Sequence, residues 1–257
     1  MTSARATNTD SEPGRSAPGI ETHAQDAHAE STWLCGLLQA GDSFYPTGSY
    51  AHSFGLEGFV HEGAVRDRVT LRAFLLRSAL PALRHADLPL AAHAWQAFAA
   101  VDWPRIGELC VLSSALRTAR EARLASENIG RQRAELAATL HAAPLAQEFV
   151  RRVSAENWPH SAAISAALEG RVFGAPLSAV LTGFAYTSIA GLLSAAMKLL
   201  RLGQNGAQSL LVEVLAMVPA LVVAAEATPY DEIGWFNPWL DIAAARHETA
   251  DARMFIS

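Results

Sequence analysis

The sequence predicts an all-α fold: a single multi-helix domain of about ten helices, with an N-terminal tail and an aromatic-tipped C-terminal segment. Three observations predict it. Apolar residues recur at helical spacing from Ser31 onward. No alternating apolar–polar run of useful length occurs. Proline and glycine fall where they start and stop helices. With 257 residues, 51% of them hydrophobic, one domain can bury a large core. The expected division is a disordered tail over 1–30, a helical domain over 31–236 and a partner-binding segment over 237–257.

Each element has its own reason. Residues 1–30 hold only Met1 and Ile20 as large apolar side chains, too few to offset the entropy of ordering. Ser31 caps a helix from Thr32 to Ala40, whose Trp33, Leu34, Leu37 and Leu38 share one face. A turn-rich connector, Gly41 to Gly48, leads to a helix expected over 49–63, capped by Ser49 and ended by Gly63. Leu71, Phe74, Leu75 and Leu80 mark a third helix, expected to break at Pro81. Leu88 to Ala100 reads as the next, with Pro89 in its first turn. In the charged stretch 109–140, Arg117–Glu121 and Glu127–Arg131 are spaced for ion pairs on one helix face. Pro144, Pro159 and Pro176 punctuate three further helices. Two long helices, about Leu177–Leu202 and Gly206–Ala225, precede a final segment carrying Trp235, Phe236, Trp239, Met254 and Phe255.

Composition excludes several functions. A net charge of −5 argues against nucleic-acid backbone binding. Cys35 and Cys110, far apart, form no disulfide framework or zinc ribbon and suit a reducing, cytoplasmic setting. The uncharged run 172–197 is long enough to cross a bilayer. Its Pro, Ser, Thr and Gly content makes a buried core helix the expectation and a membrane span the alternative. With only 18% charged residues, part of the apolar surplus is expected to face other proteins.

No catalytic constellation stands out, and no enzyme activity is expected. A P-loop needs a lysine after a glycine-rich turn, and the one lysine, Lys198, lies in Ala-Met-Lys-Leu-Leu. The string around Ser53 loosely resembles a nucleophile elbow, but its expected helical setting argues against that role. No resident cofactor is expected. For metal, Glu57 and His61 at i, i+4 are the candidate pair for nickel, set against an ordinary ion pair; His85 with Asp87, and His247 with Glu248, are similar. Lys198, alone among nineteen arginines, reads as a compact point charge put to use or as a cation at a helix C-terminus.

Four strings, in order, carry a family resemblance. Pro46-Thr47-Gly48-Ser49-Tyr50-Ala51-His52-Ser53-Phe54-Gly55-Leu56-Glu57 is similar to the signature near the start of UreF proteins. Arg120-Glu121, Ser126 and Gly130 resemble their middle helix, and Ala196 to Gln204 their late helix. Leu240 to Ala243, Arg246 to Thr249 and Arg253 to Phe255 resemble their terminal segment. Arg201, Asp251 and Ile256 depart from the family pattern. The resemblance implies an all-α urease accessory protein that forms a homodimer. It also implies partners: UreD (also called UreH), the GTPase UreG and apo-urease, with nickel handled by the assembled complex. Such a chain bridges its partners and modulates GTP hydrolysis by UreG; a nickel carrier is the alternative. Position by position, Arg246, His247, Glu248, Arg253 and Phe255 belong to the segment expected to order against UreD, and Lys198 to the UreG-facing surface.

Overall fold

A computed structural model of the chain describes residues 32–248 and 253–255. The expected tail over 1–30, the cap Ser31, and positions Thr249, Asp251 and Ile256 lie outside the described residues. Among those described there is no strand; the domain is helical as expected.

Helix α1 covers 32–41, and the connector ends in a 3-10 turn, Ser49–Ala51. The helix expected from Ser49 starts instead at Leu56 (α2, Leu56–His61). Phe54 and Gly55 both take left-handed backbone angles, φ 52° and 85°, which interrupt helical winding. Gly55 also lies against Leu240, leaving no room for a side chain. The serine serving this helix is Ser53, whose Oγ accepts the Glu57 N–H at 3.3 Å.

The break expected at Pro81 does not occur. α3 (Arg68–Phe74), α4 (Leu80–Ala82) and α5 (Leu88–Ala100) run on as one rod through π turns at Leu75–Ala79 and Leu83–Asp87. Each wider turn lies just before a proline, Pro81 or Pro89, where the ring would crowd the preceding turn and the missing N–H leaves a bond unmade. Asp67 caps the rod, its side chain accepting from Thr70.

α6 (Trp103–Ala115) and α7 (Arg120–Leu140) divide the charged stretch. The ion pairs expected there are replaced by others: Arg117 precedes α7 and pairs with Asp87, Ser114 donates to Glu127, and Arg131 pairs with Glu135. α8 (Pro144–Glu156) and α9 (Ala162–Phe173) follow. α9 is the axis of the fold, packed on α5 and α7, with Ala163, Ile164, Ala167 and Leu168 fully buried. Its run of small side chains lets neighbouring helices approach, and a helix apolar on all sides belongs inside.

α10 (Leu177–Leu199) ends before Arg201, in extended backbone at Leu200. The last long helix is two: α11 (Gln204–Leu215) and α12 (Val218–Glu226), turning at Ala216–Met217 ahead of Pro219. α10 and the 204–226 stretch are long and apolar enough to cross a membrane by composition. In this fold they pack together and on α5, with Leu181, Ala185, Ile189, Leu210 and Val214 completely buried. α13 (Pro238–His247) lies on α2 and α7, capped by Asn237, whose side-chain oxygen accepts the Leu240 N–H at 3.3 Å.

Candidate functional site

The C-terminal segment closes on the chain's own body, and Glu57 is the point of attachment. Its position on α2 is set by the Phe54–Gly55 turn, which aims the helix beneath α13. At Gly58 the two helices touch so closely that a Cβ would stand 2.6 Å from the Ala243 carbonyl oxygen. This approach brings Glu57 and His247, 190 positions apart, within hydrogen-bonding distance.

Glu57, 1% exposed, accepts the Met254 N–H at 2.7 Å and the Phe255 N–H at 3.0 Å, and its Oε2 lies 2.8 Å from His247 Nε2. Burial alone would push its carboxyl up; the backbone donors and His247 outweigh that and hold it below the usual range. The other nitrogen of His247, Nδ1, lies 2.8 Å from Glu121 Oε2 on α7. Arg253 pairs with the second oxygen of Glu121 at 2.7 Å. Around this centre Arg246 bonds Glu62 at 2.7 Å and Arg120 bonds Glu248 at 2.5 Å. The Phe255 ring is buried, and Lys198 Nζ stands 5.2 Å from its centre.

The candidate residues from the sequence therefore come together around Glu57 and Glu121. His247 and Phe255 are buried inside the chain rather than displayed. Lys198 is exposed in the last turn of α10 and covers the Phe255 ring. Glu57 and His61, the candidate pair, lie with His61 Nε2 3.7 Å from Glu57 Oε1, while the Glu57 oxygens also accept the tail's N–H groups. Among the described residues no group of three or more His, Cys, Asp or Glu is placed to hold a metal. His85 stacks on Trp235, and Asp87 is engaged by Arg117. Ser53 is outside a helix, contrary to expectation, and is fully buried, its Oγ accepting the Glu57 N–H.

Sequence reasoning missed Glu121 as the partner of His247, and a second buried hub. Glu169 on α9 accepts the Tyr45 O–H at 3.0 Å and pairs with Arg133 of α7 at 2.6 Å. Burial pushes the Glu169 carboxyl up, and Arg133 opposes it. The hub pins the connector ahead of Pro46. A carboxylate inside an apolar helix was the available signal. Next to it a cavity of about 530 Å³ runs between α1, α7, α10 and α13, with Arg133, Asp87 and Arg117 in its wall.

Outside the cluster, large apolar side chains face solvent. Phe236 and Trp239 are 68% and 72% exposed, and Ile242 on α13 and Met254 are exposed as well. Leu38 and Phe44 form a second exposed set at the end of α1. Large aromatic side chains are enriched at protein–protein interfaces.

Comparison with known proteins agrees with this architecture. The family model UreF matches residues 65–215. A urease accessory protein UreF from Paenarthrobacter aurescens (strain TC1) is 30% identical over 227 residues, covering 88% of this chain and 99% of the relative. Those from Bradyrhizobium sp. (strain ORS 278) and Bacillus sp. (strain TB-90) are 29% and 26% identical, covering 89% and 87% of this chain and 94% and 99% of theirs. On the extent of these matches the chain belongs to the UreF family.

Proposed function

We propose that this chain acts in urease maturation as a binding scaffold, joining UreD (UreH) and the GTPase UreG so that the assembly delivers nickel to apo-urease. The observation that carries the reading is family membership combined with an exposed aromatic segment on a firmly seated helix. α13 is held by Glu57 and Gly58 beneath it, so Phe236, Trp239 and Ile242 meet a partner as a preformed surface. Preformed surfaces lose less entropy on binding than segments that must order first. Arg246, Glu248 and Arg253, paired with Glu62, Arg120 and Glu121, supply the charged groups for the UreD contact, while His247 and Phe255 seat the segment. Lys198, at the exposed end of α10, belongs to the side offered to UreG. The scaffold works in the cytoplasm as a homodimer, modulates GTP hydrolysis by UreG, and turns over no substrate itself.

Co-expression with UreD and UreG, followed by mass measurement of the purified assembly, tests this. The expected result is one complex containing all three chains, with the chain present in two copies. Recovery of UreD–UreG complexes that exclude this chain would refute the scaffold reading.

A further inference from the structure

His247 has a carboxylate oxygen 2.8 Å from each ring nitrogen, Glu57 on one side and Glu121 on the other. A neutral imidazole donates from one nitrogen only and accepts at the other. Two ionised carboxylates need two donors. Either His247 carries both protons, or one of the carboxyl groups carries one. In both cases the docked arrangement holds one proton more than its parts do when apart above about pH 6.5, where free imidazole is neutral and free carboxylates are ionised.

We propose that the C-terminal segment is a proton-linked latch, in which docking onto α2 and α7 takes up one proton into the Glu57–His247–Glu121 cluster and is released as the pH rises.

The groups around the ring support this. On α2, Glu57 also accepts the Met254 and Phe255 N–H groups, so the carboxylate that faces His247 is the one that seats the tail. His61 lies over the His247 ring at 6.2 Å, with its Nε2 3.7 Å from Glu57 Oε1 and its side chain 43% exposed. On α7, Arg253 engages one oxygen of Glu121 and leaves the other to His247. Arg120 is matched by Glu248, and Arg246 by Glu62, so these pairs add no net charge to the site. His52 is kept below the usual imidazole range by burial, with Glu121 opposing, and so does not supply the missing proton at neutral pH. Lys198 of α10 faces the Phe255 ring. The sign follows from linkage: the state that binds the extra proton is favoured at low pH and loses ground by up to about tenfold per pH unit above its range.

The test uses the full chain without partners, so its outcome is separate from the scaffold reading. Amide exchange at Met254 and Phe255 is followed between about pH 6 and about pH 9 and corrected for intrinsic exchange rates, with α9 amides as the internal control. Wild-type protection at the two tail amides is expected to fall by up to about tenfold per unit while α9 holds. Glu121→Gln supplies an amide N–H to a neutral Nδ1, so it should keep the tail docked and flatten the profile. His247→Gln, which cannot titrate, should give a flat profile as well. Wild-type tail protection that does not change across the range overturns the proposal by itself. A slope that persists in either variant also overturns it.

Discussion

Gly58→Ala places a Cβ 2.6 Å from the Ala243 backbone oxygen and 3.0 Å from its carbonyl carbon. Ordinary contact begins near 3.4 Å, so the helices must part by about 0.8 Å. The obstacle is helix backbone and cannot rotate aside, unlike the end of a flexible side chain. Overpacking of this kind costs about 1–3 kcal/mol, and the better helix propensity of alanine returns up to about 1 kcal/mol to α2. The net, about 1–2 kcal/mol, falls on the α2–α13 contact. Shifted by that distance, the 2.8 Å bond between Glu57 and His247 moves beyond hydrogen-bond range, and the tail loses its anchor. Amide exchange at Met254 and Phe255 should accelerate by about tenfold, with α9 amides unchanged. Unaltered protection of the tail amides in a folded Gly58→Ala chain would refute the reasoning that this contact controls tail docking.

Three other outcomes follow from the same structure. Arg133→Met leaves the Glu169 carboxylate buried without its cation and should lower stability by about 3–5 kcal/mol, read by denaturant unfolding; a change under 1 kcal/mol would contradict a buried ion pair at that hub. The Glu57 carboxyl sits below its ordinary value when the tail is docked. Its contribution is therefore present above the undocked value of 4.5 and lost as the pH falls through the docked one. Tail protection should consequently decline in acid as well as in base, and Glu57→Gln should remove the acid limb. Burial pushes the Cys110 thiol up to about 12, whereas Cys35 is exposed, so a thiol reagent should modify Cys35 alone in the native chain and both after denaturation.

Where a boundary depends on a single residue's backbone preference, the sequence showed it. Pro144 and Pro176 mark the starts of α8 and α10, and Leu88–Ala100 has the expected limits of α5. The errors arise where two preferences compete. Pro81 ought to end a helix, but a π turn upstream relieves the clash while tertiary packing holds the rod together. Ser49 ought to cap a helix, but Phe54 and Gly55 turn the chain first. At the site, Glu57 stands out as an ionisable residue among apolar neighbours, and His247 as one of a His247–Glu248 pair. Local spacing paired Glu57 with His61, four positions on. Its closer partner lies 190 positions away, and no periodicity links residues at that separation. Local spacing paired Glu121 with Arg117, a pairing that the start of α7 at Arg120 prevents.

On the proposed function, this chain works through a surface held in place by its own C-terminal segment. Nickel-dependent activation of apo-urease by UreD, UreG and this chain, comparing wild type with Phe236→Asp/Trp239→Asp, tests it most directly. Both side chains are exposed, so the variant should fold normally, fail to retain its partners and leave urease inactive. Full activation by the folded double variant would contradict the claim.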